Sequence, residues 1–257
     1  PSWLGHTECG LIAGDCGSFI LQVHSTVVPA NIAQMGRLTD PPQAKAWMKE
    51  AAQIGVPFRV SLPTYSYVVA FDPDGKFIGL SAEGPSARWP ANAKLIRWEA
   101  NPAELADLVN EWTHARPTTL KGLCWYRLPV ASDNLNWSWK TLAAVMSGRA
   151  PVSKLHVLAS AGPPNEVTVR NDGENTEPLP KEIVARWATG DAHLVAADAL
   201  EGYTFRKATT GDAILFNLTP AGEVLRLPPG MQPPLRCLRF YTPAARQVPV
   251  APPAHTT

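Results

Sequence analysis

The sequence KGLCWYRLPVASDNLNWSW spans Lys121 to Trp139 and joins a short apolar run, a polar loop and the start of a helix. The apolar run at 122–126 predicts a buried strand. Pro129 follows it and cannot donate a hydrogen bond to a neighbouring strand. This order is a βα unit, in which the groups that carry chemistry lie at the carboxyl end of the strand and in the loop after it.

Two segments upstream show the same order. SFILQVHS at 18–25 and PFRVSL at 57–62 are β-type apolar runs, and Asp40 followed by two prolines opens a helix between them. Strand, helix and strand within about 45 residues are typical of a parallel βαβ unit. A hairpin insertion is predicted near 64–100, followed by a helix from Pro102 to Trp112 that Asn101 caps.

The pattern changes after Pro151. Short β-type runs separated by turn signals such as Asn171-Asp172-Gly173 predict a small antiparallel β-sandwich over 151–241. The last segment, 242–257, is a proline-rich tail that is predicted to be extended or disordered.

The composition excludes several classes of function. With 23 basic and 22 acidic residues the formal net charge is +1, which gives no electrostatic basis for binding nucleic acid. No apolar run reaches the roughly 18 residues needed for a membrane span. The sequence contains no P-loop, dinucleotide fingerprint, Gly-x-Ser-x-Gly elbow or HExxH motif. We therefore predict no cofactor and no metal, and no nucleic-acid or membrane-spanning partner.

The four cysteines form no CxxC pair, which disfavours a structural zinc site. Cys9 and Cys16 are close enough in sequence to cross-link in an oxidising compartment, and the sequence leaves this alternative open. The compartment is also left open, since both a cytoplasmic and an exported location fit.

Four blocks resemble an uncharacterised bacterial family, domain of unknown function 3142, over about residues 1–150: SFILQVHS, GVPFRVSLPTYSY, GLSAEGP and GLCWYRLPVASDNLNWSWKTLAAVMSGRAP. The fold of that family is held to be related to glycoside-hydrolase TIM barrels. The resemblance implies that 1–150 is the C-terminal half of a (β/α)8 barrel, and the β-sandwich predicted from the strand pattern follows it. It carries no catalytic residue over, because the family's acidic motif would lie before Pro1.

A parallel barrel closes with eight strands, and only three βα repeats are found in the first 150 residues. The missing N-terminal half of the barrel is therefore expected in a preceding part of the same chain or in another chain.

Two carboxylates are candidates for catalysis. Glycoside hydrolysis requires a pair of carboxyl groups roughly 5–10 Å apart, and Glu83 and Asp133 occupy loop positions in the predicted barrel. A solvated loop acid is the alternative for Glu83. Asn136 is favoured as the cap of the following helix, and the role of Asp133 is left open.

The candidate substrate-binding residues lie at the predicted strand ends: His24, Tyr65, Tyr126, Arg127 and Trp137. Aromatic rings stack on sugar faces, whereas core packing is the alternative for each ring. Since neighbours on a strand point in opposite directions, only one of Tyr126 and Arg127 is expected to face the site.

Together these features predict a carbohydrate-active, glycoside-hydrolase-like or carbohydrate-binding protein whose partner is a glycan. The alternative is a non-catalytic interaction or scaffold protein built on a degenerate barrel.

Overall fold

The three apolar runs of the first 150 residues form one parallel sheet in the computed structural model. Its strands are β1, Phe19–Gln22; β2, Phe58–Pro63; and β6, Leu120–Tyr126. Their order is β1-β2-β6, with Leu21 opposite Val60 and Val60 opposite Leu123. The prediction that these segments run parallel is therefore confirmed.

The structure describes residues 4, 8–24, 28–34, 36–82, 87–130, 132–159, 165–187, 194, 196–199, 202–230, 238–240 and 250–251. The chain divides into two units, Pro1–Pro151 and Val152–Thr257. In the first unit the remaining elements are α1, Cys9–Cys16; α2, Pro41–Gln53; β3, Ser66–Phe71; β4, Phe77–Ser81; β5, Lys94–Glu99; α3, Pro102–His114; and α4, Trp139–Met146.

The insertion at 64–100 forms a sheet of its own. β3 lies between β4 and β5 and pairs with both in antiparallel fashion. The chain passes from β2 to β3 through Thr64 and Tyr65 alone, so the two small sheets adjoin at this junction. This arrangement places the start of β3 beside the end of the parallel sheet.

The predicted half of a (β/α)8 barrel with an appended sandwich is wrong. The fold is mixed α/β with several small sheets, and the described ranges contain five helices and no closed barrel. The strands of the insertion pair with one another and do not extend the parallel sheet, which has three strands in the described ranges. Local apolar patterns specify strands but do not specify how many of them join one sheet.

The helices bury the apolar faces that their spacing predicts. Four apolar residues at helical spacing in α3 are all buried: Leu105, Leu108, Val109 and Trp112. The Asn101 side chain caps α3 by accepting from the amides of Ala103 and Glu104 at 3.0 and 3.3 Å. Asp40 holds the N-cap position of α2 without a side-chain hydrogen bond to the helix.

The described residues of the second unit form two four-stranded antiparallel sheets and a two-stranded ribbon. Buried residues of both larger sheets, including Val167 and Phe216, belong to one apolar core. The elements of the second unit are β7, Leu155–Ala159; β8, Asn165–Asn171; β9, Glu177–Pro178; β10, Glu182–Arg186; β11, Ala197–Asp198; β12, Tyr203–Lys207; β13, Ala213–Leu218; α5, Pro220–Glu223; β14, Arg226–Leu227; β15, Leu238–Phe240; and β16, Val250–Ala251.

Cys9 and Cys16 lie at the two ends of α1. Their positions along one helix separate their Cα atoms by about 10 Å, which is too far for a disulfide.

None of the helices in the described ranges combines the length and the apolar character that a membrane span requires.

Candidate functional site

The ends of the three parallel strands bring three aromatic residues together. His24 follows β1, Tyr65 follows β2, and Tyr126 is the last residue of β6. Because neighbouring parallel strands end at the same edge of a sheet, these side chains meet there. Together with Arg127 and Asp133 they form what we call the strand-end cluster.

The three rings contact one another. The His24 ring lies nearly parallel to that of Tyr126, with 5.9 Å between centroids. Tyr65 presents its edge to both, at 5.6 Å from His24 and 5.7 Å from Tyr126. Ring pairs at these separations add about 0.5–1.5 kcal/mol each to the energy of burial, so each ring holds the others in place.

The loop after β6 is fixed to the junction between β2 and β3. The Trp137 amide donates to the Thr64 carbonyl at 2.8 Å, and the Ser66 amide donates to the Leu135 carbonyl at 2.6 Å. Within the loop, Asn136 Nδ2 donates to two carbonyl oxygens, those of residues 127 and 128, at 3.1 Å each. These bonds set the position of the side chains that the loop carries.

Arg127 and Asp133 form an ion pair at the edge of the rings. Arg127 Nε donates to Asp133 Oδ2 at 2.7 Å, and Asp133 Oδ1 accepts from the Leu135 amide at 3.0 Å. Both terminal nitrogens of the guanidinium donate to the Ala82 carbonyl at 3.3 Å. The guanidinium carbon lies 5.8 Å from the centre of the Tyr65 ring, within the range of a cation–π contact.

Tyr126 and Arg127 both contact Tyr65, so the expectation that only one of them faces the site is wrong. The alternation of side chains holds within a strand, and Arg127 lies beyond the end of β6. The peptide bond between the two residues is cis.

Burial keeps His24 uncharged. The side chain is 6% exposed, and removal from water lowers the pKa of the imidazole from 6.5 to about 4. Burial, together with the neighbouring Tyr65, also raises the pKa of Tyr67 above its usual value. At neutral pH both groups are therefore neutral.

The hydrogen bonds of His24 indicate which ring nitrogen carries the proton. Nδ1 lies 3.2 Å from Tyr65 Oη and 3.5 Å from Gln22 Nε2. Because the Gln22 amide nitrogen can only donate, this contact favours Nδ1 as the acceptor and places the proton on Nε2. Nε2 is buried and has no hydrogen-bond partner among the described residues. The cluster thus holds a buried donor that lacks an acceptor within the described structure.

The cluster is open to solvent on the side of Tyr126. This side chain is 51% exposed, whereas His24 and Tyr65 are 6% and 7% exposed. Two further apolar side chains of the same loop, Leu128 and Val130, are also exposed. The outer surface of the cluster is therefore aromatic and apolar, with the ion pair beside it.

The comparisons with known proteins identify the family. A sequence model described as Domain of unknown function (DUF3142) matches residues 1–131, about half of the chain. The chain belongs to the DUF3142 family. No curated protein and no solved structure gives a significant match to this DUF3142 protein. The matched region contains the three parallel strands and most of the strand-end cluster, and it ends before Asp133.

Five of the seven predicted site residues of this DUF3142 protein meet in the strand-end cluster. Trp137 does not lie at the surface: it is 7% exposed and its Nε1 donates to the Ala100 carbonyl at 3.3 Å. Glu83 lies outside the described residues. Where residues are described, no group of three or more potential metal ligands is found.

The prediction that Asn136 caps α4 is wrong, because Ser138 holds that position and accepts from the Thr141 amide. Sequence reasoning also missed Arg97, whose Nη2 donates to the Asn134 carbonyl at 3.1 Å. Arg97 belongs to β5 of the insertion, and no local pattern connects that strand to the loop after β6.

Proposed function

We propose that this DUF3142 protein binds carbohydrate at the strand-end cluster, with a sugar ring stacked on the exposed face of Tyr126. The observation that carries the proposal is the position of this ring. One side packs on His24 and the edge of Tyr65, and half of the side chain remains exposed. A held aromatic ring can bind an apolar sugar face with little loss of side-chain entropy.

Polar groups that could orient a sugar lie beside the ring. His24 Nε2 is a neutral donor without an acceptor among the described residues. An unmade hydrogen bond of a buried donor costs about 1–3 kcal/mol, and a water bound beside it would relieve that cost. The Arg127–Asp133 pair adds further donors and acceptors at the rim.

Binding is better supported than hydrolysis. Both carboxylate oxygens of Asp133 accept hydrogen bonds, one from Arg127 and one from the Leu135 amide. With both oxygens occupied in this way, Asp133 is suited to positioning Arg127. The suggested pairing of Asp133 with Glu83 in catalysis stays a prediction.

One observation favours the second candidate, a protein-interaction surface. Leu128 and Val130 are 57% and 58% exposed, next to the half-exposed Tyr126. Contiguous apolar side chains in a loop can bind the apolar surface of a partner protein.

The test is a glycan array with the whole chain, followed by isothermal titration of the best ligand. Tyr126→Ala should weaken binding about two- to tenfold, as expected for the loss of one aromatic contact. Phe205→Ala is the matched control, since Phe205 is a partly exposed ring of the second unit. If no glycan binds, or if both variants bind as tightly as the wild type, the proposal fails.

A further inference from the structure

The charges of the strand-end cluster balance among its described residues. The guanidinium of Arg127 contacts the Asp133 carboxylate through both Nε and Nη2. The side chains of Arg127 and Asp133 are 21% and 10% exposed, so most of the ion pair is shielded from water. A positive group and a negative group in direct contact have no net charge together, so the pair attracts an anion much less than Arg127 alone would.

The positive charge of a second arginine near the same loop is also offset by a carboxylate. Arg97 reaches the loop through its bond to the Asn134 carbonyl, and its Nε lies 3.3 Å from Glu99 Oε2. Its side chain is 6% exposed. Each of these two guanidinium groups therefore has its own carboxylate partner in the protein. The imidazole of His24 adds no charge at neutral pH, because burial lowers its pKa to about 4.

We infer that the carbohydrate bound at this site is an uncharged glycan, and that Asp133 is the residue that disfavours acidic sugars; this inference rests on the proposed function. A sugar carboxylate placed at the cluster would lose its hydration, and the Asp133 charge would offset its attraction to Arg127. A neutral hydroxyl loses much less hydration and needs no charged partner.

The assignment of this role to Asp133 makes a specific prediction. Asp133→Asn retains the size of the side chain and an oxygen that can accept from the Leu135 amide. It removes the negative charge that balances Arg127. Arg127 keeps its bonds to the Ala82 carbonyl, but Asp133 no longer offsets its positive charge, so it attracts a ligand carboxylate more strongly through a charge-assisted hydrogen bond.

The experiment compares two forms of one glycan. The best neutral ligand from the array is titrated beside its C6-oxidised form, in which primary hydroxyl groups have become carboxylates. The wild-type protein should bind the neutral form at least about tenfold more tightly than the acidic form. This factor corresponds to the one charge-assisted hydrogen bond that the acidic form would need and does not gain at the site. Asp133→Asn should reduce this preference about tenfold.

Asp172→Asn is the matched control, because Asp172 pairs with Arg170 in the second unit and should not affect the preference. The wild-type comparison needs no variant, and it decides the inference if Asp133→Asn fails to fold. Equal binding of both forms, or tighter binding of the acidic form, overturns the inference and leaves the proposed function intact. Failure of every glycan to bind overturns both.

Discussion

Replacement of His24 should remove much of the acid sensitivity of the folded protein. His24 lies beneath the Tyr126 ring, 6% exposed, and burial lowers its pKa from 6.5 to about 4. Above pH 6.5 the imidazole is uncharged in both the folded and the unfolded chain, so its contribution to stability is fully present. Between pH 6.5 and about 4 the unfolded chain binds a proton that the folded chain does not, and stability declines.

The size of this decline follows from the pKa difference between the folded and the unfolded chain. At about 1.4 kcal/mol for each pKa unit, the interval from 6.5 to 4 corresponds to about 3 kcal/mol. Asp172 and Asp212 also have lowered pKa values in the folded protein, through hydrogen bonds from Arg170 and Thr210, and they add to the loss at lower pH. The contribution of His24 is therefore the difference between the wild type and a variant that cannot titrate at this position.

The assay is urea unfolding of the wild type and His24→Gln at a series of pH values from 7.5 to 4. The free energy of unfolding of the wild type should fall toward that of the variant, by about 3 kcal/mol over the series. His114→Gln, at an exposed position of α3, is the control and should run parallel to the wild type. Parallel curves for the wild type and His24→Gln would refute the claim that the cluster holds a buried, neutral histidine.

Three further substitutions test how the cluster and its supports are built. Asn136→Ala removes three hydrogen bonds in the loop after β6 and should lower the free energy of unfolding by about 2–3 kcal/mol in urea titrations; a change below about 0.5 kcal/mol would contradict its role in fixing the loop. Asn101→Ala removes the cap of α3 and should cost about 1 kcal/mol in the same assay, whereas Asp40→Ala, which has no capping bond to lose, should cost less than about half as much. Gly36→Ala would place a methyl group 2.8 Å from the Trp98 ring, so it should destabilise the fold by about 1–3 kcal/mol and change the tryptophan fluorescence; an unchanged melting temperature would argue against this packing.

Much of the cluster could be predicted from local sequence. LQVHS, RVSLP and CWYRLP each combine an apolar run with a polar or proline end, and this pattern identifies both the strand and its terminus. Strand, helix and strand in succession imply parallel pairing, which brings the termini to one edge. His24, Tyr65 and Arg127 were therefore predicted to meet, and they do.

The number of strands in the sheet could not be predicted in this way. Closure of a barrel depends on which strands exchange hydrogen bonds over long distances, and apolar periodicity carries no information on that choice. A hairpin was predicted in the insertion that contains β3. The sequence did not predict that β3 pairs with both β4 and β5 in a sheet separate from the parallel one.

The choice between similar neighbours in the loop after β6 also needed the structure. Asn136 and Ser138 are both good capping residues, and Ser138 caps α4 because the Asn136 side chain bonds to carbonyl groups of its own loop. Trp137 and Trp139 are also similar in sequence context but differ in exposure, since Trp137 is 7% exposed and Trp139 is 58% exposed. Their exposure depends on where the helix begins, a boundary that sequence patterns place to within a few residues at best.

The most direct test of carbohydrate binding at the strand-end cluster is an NMR titration that follows the imidazole nitrogens of His24 and the ring protons of Tyr126. Addition of the glycan selected on the array should shift the Tyr126 ring signals, as a sugar face covers them, and the imidazole signals of His24, which stacks against the other side of that ring. The signals of His114 and His156 should stay in place. Binding that shifts signals elsewhere and leaves both His24 and Tyr126 unchanged would contradict the proposal.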